Sequence, residues 1–282
     1  MAGGPQDSPV ELPPTDSQVA VEVRGGIEGA AGRDVVAEEV PVAMVYNGVS
    51  HAVMMASPCD LEDFALGFSL SEGILARPGQ LFDVEIVASA EGVSLEMRID
   101  GECLARLRQQ RRNMAGRTGC GLCGTDSLAH AVRPIPAVSS VPLPDDAAVR
   151  AALGNLCRHQ PLQARTGATH GAAWCDASGA IQQVREDVGR HNALDKLIGG
   201  RIRRHGVDAF GSGFALISSR ASFEMVQKSA SVGIGCLVAV SAPTALAIRE
   251  AGKAGMTLIG FARPGRHVIY TRGGPPGQAE GP

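Results

Sequence analysis

The sequence predicts an α/β protein in which a layered α/β main domain follows a smaller α+β region. Three observations predict it. Short apolar runs alternate with amphipathic stretches from residue 213 to residue 261, the pattern of strands separated by helices. Two hairpin signals, Asn47-Gly48 and Glu91-Gly92, flank a single helical pattern in the first third of the chain. The chain has 282 residues, 44% of them hydrophobic, which is enough for one large domain or two small ones.

Residues 1–33 are rich in Pro, Gly and acidic groups and lack periodicity, so they are expected to be a disordered leader, and residues 273–282 a disordered tail. The small region, 34–112, opens with strand-like runs Val40–Tyr46 and Val49–Ala56 on either side of Asn47-Gly48. Asp60 can cap a helix whose apolar stripe is Leu61, Phe64, Ala65 and Phe68 and whose stop is Gly73. Val84–Ser89 and Val93–Ile99 form a second expected hairpin. Residues 113–133 carry a glycine-rich Cys-x-x-Cys segment expected to be a mobile loop, and Pro134–Pro144 reads as a linker. The main domain, 134–272, begins with a helix over Asp145–Cys157 and strands over Ala172–Cys175 and Ile181–Val184. A helix over Asn192–His205, frayed at Gly199-Gly200, comes next. Strands at 213–218, 236–241 and 257–261 then alternate with helices at 222–231 and 244–252, and His267–Thr271 adds a last strand.

The net charge of −3 asks for neither nucleic acid nor an anionic membrane. No apolar run reaches the roughly 20 residues of a spanning helix. The N-terminus has no basic start and apolar core of a signal peptide, so a cytoplasmic location is expected. Seven cysteines, an odd number in a chain of this size, do not read as a disulfide scaffold. Cys175 and Cys236 sit in apolar runs and read as buried thiols. Cys120 and Cys123 are the one close pair, in Gly116-Arg-Thr-Gly-Cys120-Gly-Leu-Cys123-Gly, with Arg111 and Arg112 upstream. Small neighbours leave the sulfurs uncrowded and nearby cations favour thiolate. Three uses fit: half of a zinc site whose other half is missing from the sequence, dithiol redox chemistry, or carriage of sulfane sulfur as a persulfide.

Four other segments concentrate polar groups where strands meet helices. Glu186-Asp-Val-Gly-Arg190-His191-Asn192-Ala-Leu-Asp195-Lys196 reads either as a cap with exposed ion pairs, Asn192 being the N-cap, or as a polar wall at a ligand site. In the second reading His191 transfers a proton or contacts phosphate, and Arg190 stands beside it. Thr166-Gly-Ala-Thr-His170-Gly can cradle an anion. Ser218-Ser219-Arg220-Ala-Ser222 and Ser241-Ala-Pro-Thr244 are hydroxyl-rich turns at helix starts, a shelf for phosphate or nucleotide. Phe261-Ala262-Arg263-Pro264-Gly265-Arg266 ends the domain with two arginines on a turn. Neither a GxGxxG nor a Walker loop occurs.

Taken together, TGCGLCG (118–124), TGATHGA (166–172), EDVGRHNALDK (186–196), the run from Lys228 to Ala251 and TLIGFAR (257–263) resemble the FdhD/NarQ family of formate dehydrogenase accessory sulfurtransferases, over roughly 35–272. The resemblance implies that a cysteine desulfurase passes sulfur to Cys120, with Cys123 as its companion. It implies binding of the bis(molybdopterin guanine dinucleotide) molybdenum cofactor as sulfur acceptor, with Phe261–Arg266 matching the cofactor-binding stretch. It also implies a homodimer, the catalytic subunit of formate dehydrogenase as client, and a three-layer α/β/α, cytidine deaminase-like main domain; no structural metal is expected, because the second pair of zinc ligands is missing from the sequence. The His/Cys-x-Glu and Pro-Cys-x-x-Cys pattern of zinc deaminases is absent. Ser219 and Ala168 stand where the family usually has glycine, so altered ligand fit is expected there.

Overall fold

The computed structural model describes residues 11–24, 30–115 and 134–274. A two-stranded antiparallel hairpin of β1 (Asp16–Val23) and β2 (Ala30–Ala37) comes first. Part of the stretch expected to be an unstructured leader is therefore a strand. Its alternation of Val19, Val21 and Val23 with Gln18, Ala20 and Glu22 is a period-2 signal masked by the surrounding Pro, Gly and acidic residues.

The small sheet contains β3 (Val40–Tyr46), β4 (Val49–Ala56), β5 (Leu81–Ser89) and β6 (Gly92–Ile99) in the order β4-β3-β6-β5. Both predicted hairpins form, and β3 pairs with β6 in parallel. At the first turn Asn47 and Gly48 both take positive φ, 46° and 76°, which explains the Asn-Gly pair. Helix α1 (Leu61–Ser71) follows Asp60, which sits at the N-cap but makes no side-chain cap bond. Helix α2 (Gly101–Ala115) was not anticipated, and its buried Cys103 and Leu107 are one turn apart in an otherwise charged segment.

The main sheet has six strands in the order β12-β11-β10-β9-β7-β8. These are β7 (His170–Cys175), β8 (Ile181–Asp187), β9 (Phe214–Ile217), β10 (Cys236–Ala239), β11 (Thr257–Arg263) and β12 (Arg266–Thr271). The three central strands β9, β10 and β11 are parallel, while β7, β8 and β12 pair antiparallel to their neighbours. Alternate residues serve opposite faces. Ala172, Trp174, Ala215, Ile217, Leu237 and Ala239 share a core with α5 (Arg190–His205), α6 (Phe223–Ser231) and α7 (Ala245–Ala254). Ala173, Cys175, Phe214, Leu216, Cys236 and Val238 pack on α3 (Asp146–Leu156), which Asp145 caps through Ala148 N. The result is helix, sheet, helix. A short helix, α4 (Pro161–Thr166), leads into β7.

Two expectations about α5 change. It begins at Arg190 with Gly189 as N-cap, so Asn192 lies inside the first turn. Gly199-Gly200 is no frayed end: α1 and α5 cross there so closely that a Cβ on Gly199 would lie 1.8 Å from Asp63 O, and one on Gly67 1.7 Å from Asp195 O. The first core cluster accordingly runs from the small sheet through α1 into α5, α6 and α7. Within the proposed linker Val138 is buried and its N–H donates to Ala254 O at 2.9 Å, so that segment is strapped to the main domain.

Candidate functional site at the edge of the main sheet

The parallel strands β9, β10 and β11 end on one edge, and antiparallel pairing brings the start of β7 and the end of β8 to the same edge. Brought together there are His170, paired with Asp187, then Arg190 and His191 at the start of α5, Ser218–Ser222 before α6, Ser241–Thr244 before α7, and Phe261. His170 and Phe261 stand three strand spacings apart, about 14 Å. The loops are laced by main-chain bonds: Ser218 N donates to Gly171 O (2.9 Å), Ala221 N to Ala242 O (3.2 Å), Thr244 N to Ala221 O (3.0 Å) and Phe261 N to Ser241 O (3.1 Å).

Most of the acidic motif at 186–196 is structural. Asp187 is fully buried, with its Oδ2 2.6 Å from Lys196 Nζ and accepting from Ser57 N, while Asn192 and Gly189 N donate to its other oxygen. Lys196 also donates to Ser57 O at 2.8 Å, and Asn192 to Met55 O at 2.8 Å. Asp195 holds Lys228 (2.8 Å) and Ser71 (2.6 Å). Glu186 accepts from the N–H groups of Leu162 and Gln163, fixing α4 in front of β7. The motif thereby joins the two sheets, and only Arg190 and His191 are left at the edge.

The edge is electropositive. Arg220 and Arg263 are exposed, and the buried Nε of Arg190 has no hydrogen-bond partner among the described residues. His191 Nε2 lies 2.8 Å from Glu224 Oε2. Burial holds the His170 imidazole below its ordinary pKa, and the Arg190 charge adds to the effect against Asp187. Burial lowers His191 as well, with Glu224 opposing and Arg190 reinforcing. Both rings therefore favour the neutral form at pH 7. Neither α5 nor α6 has a side-chain cap, and Ser222 Oγ is unpartnered, so free N–H groups of two helix starts add to the positive field. Thr244, by contrast, caps α7 through Ala247 N.

Phe261 has φ of 49°, costly for an aromatic residue, at a register shift between Gly260 and Arg263. Its ring stays partly exposed. Of the 261–266 stretch, Ala262 faces the α3 core and can offer only its main chain, whereas Pro264 and Gly265 make the turn that carries Arg263 and Arg266. Arg266 lines a separate cavity of about 600 Å³ with Asp146, Arg150 and His267, away from His170. Ser219 is buried and donates to Arg220 O (3.1 Å) without positive φ, so serine is unstrained there. Ala168 is exposed beside His170 in a cavity of about 370 Å³ whose other walls are Gln160, Gln163, Gly167, Thr169 and Ser218. The two glutamines went unnoticed in the sequence because only folding brings α4 against β7.

Cys120 and Cys123 lie outside the described residues. Of the other thiols, burial pushes Cys175 up to about 12 and raises Cys236 further, and Cys59 is raised by burial against the pull of Lys196.

The FdhD/NarQ family model matches residues 37–274. The chain belongs to the FdhD/NarQ family. A relative from Cupriavidus necator named "Sulfur carrier protein FdhD" is 54% identical over 92% of this chain and 89% of its own length. One of the same name from Bordetella petrii is 55% identical over 89% of this chain and 90% of its own. In three dimensions the fold is shared with a crystal structure from Desulfotalea psychrophila described as a formate dehydrogenase accessory protein. That match has a TM-score of 0.69 at 23% identity, over 91% of this chain and 96% of that one. No described helix is long and apolar enough to cross a membrane.

Proposed function

We propose that this family member is a cytoplasmic sulfur carrier. It takes sulfane sulfur from a cysteine desulfurase onto Cys120 and delivers it to the bis(molybdopterin guanine dinucleotide) molybdenum cofactor for formate dehydrogenase, working as a homodimer. The observation that carries the reading is the pairing of one Cys-x-x-Cys segment, flanked by glycines, with a sheet edge that presents Arg190, Arg220 and Arg263 and two uncapped helix starts. A carrier needs an accessible thiolate and a place to hold an anionic acceptor. The family membership and the names of the relatives support the same reading.

Loading is thiol exchange. The Cys120 thiolate attacks the outer sulfur of the desulfurase persulfide, an S–S bond forms as another breaks, and the desulfurase leaves as thiolate. In delivery, Cys123 attacks the inner Cys120 sulfur. The Cys120–Cys123 disulfide forms and the terminal sulfur departs, reduced to hydrosulfide, for the acceptor. At the edge, the arginines and helix starts hold the acceptor's phosphates, and Phe261 offers a ring face to a base.

Incubation with a desulfurase and cysteine should add one sulfur, about 32 Da, to the intact mass. Cys120→Ala should abolish the gain, whereas Cys123→Ala should keep the gain and block delivery. An unchanged mass gain in Cys120→Ala would show that another residue carries the sulfur.

A further inference from the structure

We propose that Glu224 is an internal counter-anion: its carboxylate occupies the anion position between the starts of α5 and α6 and has to swing out before an acceptor is held there. The inference rests on the sheet edge being the anion-holding part of the carrier reading, and it deepens that reading by naming what regulates the edge. Glu224 lies in the first turn of α6, and its Oε2 reaches His191 Nε2, 2.8 Å away in the first turn of α5. The carboxylate therefore stands where two helix starts without side-chain caps meet. Free N–H groups of such starts favour an anion at that point, and the Arg190 charge adds to them.

The contact is built to be given up. His191 Nε2 is buried and, despite the short distance, forms no aligned hydrogen bond with Glu224. Burial first of all holds the imidazole toward its neutral form; Arg190 and Lys228 reinforce this, and Glu224 and Glu72 oppose it. The positive field of the edge, not a directed bond, keeps the carboxylate in place. Its side chain is 59% exposed, so turning into solvent costs little. The neighbouring acids have no such freedom. Asp187 and Asp195 are buried and tied to Lys196 and Lys228, and Glu186 is tied to the start of α4.

Displacement leaves donors for a ligand to complete. The buried Nε of Arg190 and the Oγ of Ser222, the N-cap residue of α6, have no hydrogen-bond partner among the described residues. Glu224 satisfies neither, whereas a phosphate brings several acceptor oxygens. While the carboxylate is in place the edge is closed, so the affinity for any anion falls by the fraction of molecules that are open. Small anions, whose contacts end at this point, are thereby kept weak. An acceptor held at several points along the edge still displaces the carboxylate. Once delivery is complete, the returning carboxylate speeds release, which a carrier needs for turnover.

The test titrates the full chain with inorganic pyrophosphate by calorimetry. Glu224→Gln keeps the shape and removes the charge, and it should bind pyrophosphate about tenfold tighter than the parent chain. Arg190→Gln should bind it about tenfold more weakly, which locates the ion at this edge. NMR titration of the His191 imidazole follows the carboxylate itself. Without ligand the midpoint should be lower in Glu224→Gln than in the parent, because the carboxylate favours the imidazolium. With saturating pyrophosphate the two midpoints should coincide, since the ion has then replaced the carboxylate in the parent. Equal pyrophosphate affinity in the parent and Glu224→Gln overturns the proposal and leaves the anion site standing. So does a midpoint difference that survives saturation. Tighter binding by the parent overturns it as well, and makes Glu224 a support for His191. Binding to neither protein, or binding undiminished by Arg190→Gln, overturns both the proposal and the anion-holding edge. Sulfur loading of Cys120 is read separately by mass, so failed loading with Glu224-dependent pyrophosphate binding removes the carrier reading alone.

Discussion

His170 shows how a single residue couples ligand and pH. Because burial and Arg190 depress its folded pKa, the unfolded chain takes up a proton first as pH falls. The stability linked to this ring is therefore full above its ordinary value of 6.5 and is lost as pH drops from there to the lower folded value. Thermal melts between pH 8 and 5 should show a smaller acid-side drop in Tm for His170→Asn than for the parent chain; superimposable curves would remove His170 from this linkage. An anion at the edge favours the imidazolium, so phosphate should bind more tightly as pH falls and narrow the difference. At the same scale, Phe261 marks one end of the sheet edge by a strained backbone.

The α1–α5 crossing is the element on which the molecule turns. Alanine in place of a helical glycine ordinarily gains about 1 kcal/mol of propensity. At Gly199 the added Cβ would meet Asp63 O at 1.8 Å, so Gly199→Ala should instead destabilise by about 2–3 kcal/mol. Urea unfolding followed by circular dichroism measures it, and a stabilised variant would mean that the helices move apart at little cost. The sequence pattern placed both helices, but a glycine pair reads equally as fraying or as close approach until the partner helix is known.

At the scale of the whole molecule, a buried ion pair stitches the two sheets together. Asp187 from the end of β8 and Lys196 from α5 close around Ser57, which follows β4 of the small sheet. Asp187→Asn leaves Lys196 buried without its counter-charge and should cost about 3–5 kcal/mol in chemical unfolding. Adding Lys196→Met should return part of that loss. If the single variant unfolds at the parent's urea midpoint, the pair does not hold the sheets together. The continuous core from the small sheet into α5, α6 and α7 makes the two halves depend on each other in the same way.

By itself the sequence determined the α/β class, the Asn47-Gly48 hairpin, the order of strands and helices after residue 213 and the family, because these rest on local periodicity, turn chemistry and motif spacing. It also singled out the turns that meet at the sheet edge. It could not assign roles within the 186–196 motif, since a charged run reads the same whether its partners are solvent, ligand or a distant strand. Only tertiary structure decided that Glu186, Asp187, Asn192, Asp195 and Lys196 turn inward while Arg190 stays at the edge. It alone set Gln160 against Gly171, because that contact depends on how α4 packs on β7 and leaves no trace in the spacing of the residues.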